Sequence, residues 1–260
     1  MKEKTIFCHL SVTHAIIADI DYESERFRFA GSSRFLISAL ARLLNVRHYK
    51  LKISFLEPTK EEIETHKRLK LEENEKKVNE NKVGEEGEGE GEKMVEQIEE
   101  SQTEASSRGI YANNVLDGVE LTESRYEFGA VPNDWTILEG NFFFFSVMNF
   151  PFVSLDTCIA PYAEMDDGLF DLSYTLDTSS TQMIPLFLKD LETGEAIAND
   201  QRVKKIQGKA LFFEPLSKSG ILMLDGEKYD LQPIKIETKK RLLNIICPKQ
   251  LPLPLIQKPN

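Results

Sequence analysis

The sequence is poor in most of the features that announce a chemistry. It has three cysteines, Cys8, Cys158 and Cys247, far apart and with no Cys-x-x-Cys pair. That spacing excludes a zinc ribbon or a dithiol redox motif and fits a reducing compartment. The four histidines, His9, His14, His48 and His66, match no familiar ligand spacing, so no metal site is expected. No serine sits in a Gly-x-Ser-x-Gly elbow, which removes support for hydrolase chemistry. Positive charge is in deficit, 32 basic against 43 acidic side chains for a net of −11, and this argues against nucleic acid as a partner. Long apolar runs are lacking too. Asn141 to Leu155 is interrupted by Ser146, Asn149 and Pro151 and falls short of the ~20 apolar residues of a membrane span. Met1 to Thr5 leads into a mixed segment rather than the apolar core of a signal peptide, so a cytoplasmic location is expected.

What is present is enough for a core, since 41% of the 260 residues are hydrophobic. The charge is concentrated: Lys60 to Glu100 holds 15 Glu against 8 Lys or Arg, with a Gly/Glu run from Gly84 to Glu92. Such a segment buries too little apolar surface to offset its ordering entropy, so residues 58–108 read as an acidic disordered insertion, with Glu61 to Asn79 at best a solvated helix. Residues 1–57 and 109–248 then form one discontinuous domain, and the Pro-rich 249–260 an extended tail.

Hydrophobic spacing predicts strands at Thr5–Ser11, Ala15–Asp21, His48–Phe55, Trp135–Asn149 (bulged or split), Leu169–Leu176, Lys209–Glu214, Gly220–Asp225 and Lys235–Ile246. It predicts helices at Ser32–Leu44, with Leu36, Leu40, Leu43 and Leu44 on one face, and at Ser180–Leu191, capped by Ser179 or Ser180 and ended by Gly194. Many short strands with two helices imply a mainly β fold, an antiparallel β-sandwich with helical additions.

The densest polar constellation is Asp19-Ile20-Asp21-Tyr22-Glu23-Ser24-Glu25-Arg26-Phe27-Arg28, followed by Gly31-Ser32-Ser33-Arg34. On an extended chain Asp19 and Asp21 share one face. Arg34 in a first helical turn opposes the macrodipole unless an anion docks there. The same residues also make an ordinary surface ion network. Asp225-Gly226-Glu227 reads as a hairpin turn.

The run from Leu10 to Gly31, with Ala18-Asp19-Ile20-Asp21-Tyr22-Glu23-Ser24-Glu25 at its centre, then Arg34-Phe35 and Arg47-His48-Tyr49, resembles the C-terminal lobe of sphingosine kinases in the diacylglycerol kinase family. The likeness continues through Trp135, Asp156, Ala160-Pro161, Asp167-Gly168, Glu192-Thr193-Gly194, Phe213-Glu214-Pro215 and Asp225-Gly226-Glu227. The resemblance implies a β-sandwich lipid-binding lobe of a two-lobe fold, and a family reaction in which ATP, with Mg2+, phosphorylates the primary hydroxyl of a sphingoid base. The family's α/β lobe, with its Gly-Asp-Gly loop and catalytic base, has no counterpart here: Asp117-Gly118, Asp167-Gly168 and Asp225-Gly226 follow Leu116, Asp166 and Leu224. No catalytic residue is therefore expected in this chain. By the same carry-over Arg28, Arg34, Asp225, Gly226 and Glu227 match the nucleotide side, Asp21 the carboxylate at the lipid ammonium, and Ser11 a hydroxyl beside it. Ile17, Ile20, Phe35, Ile184, Leu188 and Leu191 match the lipid wall. The implied partners are a sphingoid-base lipid, an N-terminal kinase lobe in cis or trans, and a membrane surface touched peripherally. Alternatives are a kinase for diacylglycerol or ceramide, which would leave Asp21 without a cation, and a non-catalytic lipid-binding remnant. One departure is His14-Ala15 where the family has Trp-Gly, which is expected to crowd the strand at the lipid head.

Overall fold

The computed structural model describes residues 5–45, 47–69, 71–72, 126, 130–154, 157–187 and 191–240. It divides into two compact units, Met1–Pro58 with Tyr126–Asn260, and Thr59–Arg125. Expectations for the acidic insertion beyond residue 72, for Asp117-Gly118, Asp156, Leu188 and Cys247, for the last strand beyond residue 240 and for the tail 249–260 lie outside the described residues. In the first unit the chain runs β1 (Ser11–Ala15), α1 (Ile16–Ser24), a 3-10 segment (Glu25–Ser33), α2 (Arg34–Leu44) and β2 (Tyr49–Leu56). After the second unit come β3 (Thr136–Met148), β4 (Phe152–Ser154), β5 (Thr157–Cys158) and β6 (Phe170–Leu176). With α3 assigned to residues 60–69 of the second unit, the chain ends through α4 (Ser180–Phe187), α5 (Glu195–Ala198), β7 (Lys204–Gly208), β8 (Ala210–Pro215), β9 (Leu222–Leu224), β10 (Glu227–Tyr229) and β11 (Ile234–Glu237). In the second unit α3 opens on a capping box: Thr59 N–H donates to Glu62 and Glu62 N–H to Thr59 Oγ1.

Nine strands form one hydrogen-bonded sheet in which every pair is antiparallel. Along β3, β6 takes one edge from Phe142 to Met148. The other edge is shared end to end: β1 places Ala15 opposite Phe144, and β2 resumes with Tyr49 opposite Phe142. The chain thus leaves the sheet at Ala15, builds both helices, and re-enters two positions further along. β9 and β8 flank β1 and β2 in the same broken fashion, and β10 and β11 lie outside them. The antiparallel sheet with few helices agrees with the expected class.

The sequence explains these strands locally. Tyr49, Leu51, Ile53 and Phe55 alternate with polar residues, and all four are at most 3% exposed. The run Phe142-Phe143-Phe144-Phe145 has no alternation. A register shift between Phe142 and Phe144 lets the four rings divide, Phe143 and Phe144 to a core under the helices and Phe142 and Phe145 to a core on the opposite face. Full burial of each ring contributes about 1.5–3 kcal/mol. A smaller cluster joins Trp135, Ala210 and Phe212.

Several expectations are corrected. Ala15–Asp21 is not a strand: only Ala15 is, and Ile16–Ser24 is helical, burying Ile16, Ile20 and Ser24 at four-residue spacing. Residues 5–8 carry no strand, so β1 starts at Ser11. In α2 the apolar stripe faces outward. Leu36, Ile37, Leu40 and Leu44 are exposed, while Ser38, Ala39, Arg42 and Leu43 are buried. α4 is described as helix only to Phe187 and tolerates Pro185 inside it. Gly194, at φ 76, caps the N-terminus of α5 rather than ending α4. Strands β4, β5, β7 and β10 have no counterpart among the expected strands. Among the described residues no helix is long and apolar enough to cross a membrane.

Candidate functional site

The helical excursion between β1 and β2 gathers most of the singled-out residues. Because residues 16–24 are helical, Asp19 and Asp21 do not share a face. Asp19 is 1% exposed, and its carboxylate accepts from the Tyr49 hydroxyl at 2.9 and 3.1 Å. Burial raises its pKa, opposed by Tyr49 and by the charges of Arg42 and Arg47. Arg42, also buried, lies 3.7 Å from Asp19 and is hydrogen-bonded to Glu23. These groups pin α1 and α2 to the gap in the sheet. Ser38 Oγ adds a bond to the Ile20 carbonyl.

Asp21 lies one helical turn after Ile17, half-buried. Burial raises its pKa, Arg34 lowers it, and Glu25 and Glu227 raise it further. A guanidinium thus favours its ionised form and two carboxylates oppose it. Arg34 opens α2, and Arg28 stands in the 3-10 segment. Both guanidiniums hold one carboxylate, with Arg28 Nε 2.6 Å from Glu25 Oε2 and Arg34 Nη1 2.8 Å from Glu25 Oε1. Each arginine thus contributes one N–H to a different oxygen of the same carboxylate, an arrangement that suits an anion with several oxygens.

The turn at Asp225 is tied to the start of the chain. Asp225 (φ 49) and Gly226 (φ 82) are the two central residues of the β9–β10 hairpin, a type I′ turn, as their Asp-Gly sequence predicts. The Asp225 carboxylate, however, is filled by the protein. Oδ1 accepts from Cys8 Sγ, Leu10 N–H and Ser11 N–H, and Oδ2 from His9 N–H and the His9 ring. Burial works against its ionisation, but these donors outweigh it and hold its pKa below the usual range. Asp225 therefore anchors residues 8–11, its oxygens accepting the backbone N–H groups of His9, Leu10 and Ser11 and the Cys8 thiol. Glu227 is exposed beside it. The same contact, together with burial, pushes the Cys8 thiol up to about 12.

The lipid-wall residues come together from two distant segments. Ile20 is in the core under the helices, and Ile17, Phe35, Ile184 and Leu191 pack against it half-buried. Ser11 is buried on the sheet face that this core covers. Beside it lie residues that the sequence reading passed over: Thr13 of β1, Ser146 of β3 opposite it, and Ser173 of β6 opposite Ser146, all buried. The available signal, alternation of Asp171, Ser173 and Thr175 with Phe170, Leu172 and Tyr174, reads as a solvent-facing strand. Only the cover of helices turns it inward.

At the edge of this assembly His14 is 1% exposed, its ring 5.0 Å from Tyr49 and 5.2 Å from Phe213, with Nδ1 2.6 Å from the Ile221 carbonyl. Burial pushes its pKa down to about 4, against that hydrogen bond. The close approach requires Gly220, where a Cβ would stand 2.7 Å from His14 Cε1.

Residues 129–247 match the YegS C-terminal NAD kinase beta sandwich-like domain. The chain is 31% identical over 119 residues to Sphingoid long chain base kinase 5 of Saccharomyces cerevisiae, covering 43% of this chain and 17% of that protein. It is 27% identical over 227 residues to Sphingosine kinase 2 of Arabidopsis thaliana (85% and 39%) and 22% identical over 246 residues to Sphingosine kinase 1 of Caenorhabditis elegans (91% and 48%). The chain thus spans less than half the length of these relatives. A solved structure from Bacillus anthracis, described as a candidate diacylglycerol kinase, superposes with a TM-score of 0.45 at 11% identity, over 90% of this chain and 50% of that one, too loosely to bear on the site. Residues 129–247 thus resemble that C-terminal beta sandwich-like domain, and sphingosine kinases are among the proteins to which the chain is similar.

Proposed function

We propose that this chain supplies the lipid-binding lobe of an ATP-dependent lipid kinase whose substrate is a sphingoid base, phosphorylated on its primary hydroxyl. One observation carries the reading. Ile17, Ile20, Phe35, Ile184 and Leu191 meet in one apolar cluster, and Asp21 stands one turn from Ile17 with the Arg28–Arg34 pair beyond it. A lipid seated there buries its tail in the cluster, sets its ammonium on Asp21 and turns its hydroxyl toward the arginines. Tail burial of about a dozen methylenes contributes on the order of 10 kcal/mol gross, and Asp21 selects the head group. Arg28 and Arg34 bind phosphate oxygens of ATP. The catalytic base and Gly-Asp-Gly loop come from an N-terminal lobe, in cis or in trans, since no such loop occurs in these 260 residues.

The outward stripe Leu36, Ile37, Leu40 and Leu44, with Phe29 at 87% exposure and Arg26 and Arg28 nearby, supports peripheral contact with a bilayer from which the lipid is drawn, on its cytoplasmic side. The test is a pair of titrations with sphingosine and with a neutral analogue of the same tail. Asp21→Asn should weaken sphingosine binding by roughly 1.5–3 kcal/mol, the worth of a charge-assisted hydrogen bond, and leave the neutral lipid unchanged. Equal losses for both lipids would make the aspartate structural and remove the head-group assignment.

A further inference from the structure

The sheet face beneath α1, α4 and α5 carries a patch of hydroxyls that packing does not explain. Side chains of directly opposed residues lie on the same face, so Thr13, Ser146 and Ser173 form one row across β1, β3 and β6, and Thr175, opposite Phe144, stands two positions along β6. With Ser11 they make five hydroxyl side chains on one surface, each between 0 and 7% exposed. The neighbours of Ser146 along β3, Phe144 and Met148, belong to the apolar core that receives Ile17, Phe35, Ile184 and Leu191. Lys205, paired with Ser173, reaches up to the Ile197 and Asp200 carbonyls at the end of α5, which fixes that helix above the patch. Yet Ser146 Oγ and Thr175 Oγ1 are fully buried and have no hydrogen-bond partner among the described residues.

A fully buried hydroxyl without a partner is costly, and Ala at 146 or Val at 175 would fill the same space without that cost. Neither hydroxyl is needed to form the strand, because Val is the better strand residue. The arrangement is accounted for if a bound molecule brings the missing partners. We infer that the lipid taken by this domain carries hydroxyl groups on the stretch of chain next to its head group, and that Ser146 and Thr175 select it. This inference rests on the lipid-binding reading above and narrows it from sphingoid bases in general to chain-hydroxylated ones. Ser146 and Thr175 are diagonal neighbours on adjacent strands, about 7 Å apart, a span that two hydroxyls of one lipid chain bridge with a hydrogen bond at each end.

The full chain is titrated calorimetrically, in detergent micelles, with sphinganine and with 4-hydroxysphinganine, which differ by one chain hydroxyl. The wild-type protein should bind the 4-hydroxylated base roughly ten-fold more tightly, as one added buried hydrogen bond provides. The double variant Ser146→Ala with Thr175→Val should bind the two lipids equally, with its melting temperature unchanged or raised. Equal wild-type affinities would overturn the inference while leaving the lipid reading intact, and would mean that the hydroxyls hold water. A preference that survives in the variant would overturn the assignment to these residues. Binding of neither lipid would remove the inference and the lipid reading together. The wild-type comparison needs no variant, so a failure of the double variant to fold leaves that test in place.

Discussion

Two adjacent residues, His14 and Ala15, combine a buried ionisable ring with a strained backbone where β1 gives way to α1. Ala15 adopts φ 58 and ψ −139, a region in which a Cβ is penalised and glycine is at ease. The expected crowding at this alanine is thus a backbone effect at the strand-to-helix corner. Ala15→Gly should raise stability by about 1 kcal/mol, the strain relief exceeding the entropy glycine adds to the unfolded chain, or roughly 2–4 °C in Tm, read by thermal denaturation. A lowered Tm would show that the methyl group packs better than the backbone suffers. His14 predicts a pH dependence. Its folded pKa, about 4, lies below the ordinary 6.5, so the unfolded chain takes the proton first. Stability is complete above pH 6.5 and falls as pH drops toward 4, by up to about 3 kcal/mol. Asp225, with its lowered pKa, acts in the same direction at lower pH, whereas Asp19 and Asp21, with raised values, gain from protonation and oppose it. Urea unfolding at pH 7.5 and pH 5 should show the loss in the wild type and a flatter profile in His14→Phe. An unchanged slope in that variant would assign the pH dependence to the carboxylates.

At the scale of elements, the decisive feature is the interruption of a strand row by a helical excursion. β1 and β2 occupy one edge of β3 in succession, so α1 and α2 emerge from the middle of the sheet and are held there by the contacts at the gap. Those contacts are polar: Tyr49 on Asp19, and Arg42 between Asp19 and Glu23. Removing the cation leaves two carboxylates in a confined place, so Arg42→Ala should cost about 3–5 kcal/mol. Adding Asp19→Asn should recover part of that loss, with a coupling of about 0.5–3 kcal/mol in a double-mutant cycle by urea denaturation. Strict additivity would show that the two charges do not sense each other. The excursion also bears Asp21, Arg28 and Arg34, so the anchoring that stabilises the helices positions the site. Its periodicity reads as a strand because Asp19 and Asp21 stand at spacing two among β-branched isoleucines. In α2 the leucines at 36, 40 and 44 do form a stripe, but the covered side is the one with Ser38, Ala39 and Arg42, where Ser38 Oγ donates to the Ile20 carbonyl and Arg42 pairs with Glu23 and Asp19 of α1.

For the molecule as a whole, the residues proposed to hold the lipid and the phosphates lie in this chain, while its sequence has no Gly-Asp-Gly. The 260-residue polypeptide alone should transfer no labelled phosphate from ATP to sphingosine, although it should bind the lipid. Supplying a nucleotide lobe by fusion should restore turnover. Transfer by the isolated chain would mean that a base exists among residues assigned here to binding. The separation of the two activities follows from the division of labour in phosphoryl transfer, where positioning and charge stabilisation come from several elements that must face one another.

The sequence by itself determined the β class, through the alternation in Tyr49–Phe55, the unbroken phenylalanines of β3 and the Asp225-Gly226 turn, because these signals are local and need only the two-residue period or the torsion preferences of a turn. It also determined which residues to watch, by resemblance. Tertiary structure decided what those residues do. It turned Asp19 into a buried anchor and left Asp21 near the surface, because a helix separates what a strand would align. It filled the Asp225 carboxylate with N–H groups from residues 9–11 and the thiol of Cys8, more than two hundred positions away in the chain. And it placed α5 over Ser173 and Thr175, turning an alternation that belongs to a wet strand face into a buried row of hydroxyls, since burial depends on what folds over a surface and not on the surface's own pattern.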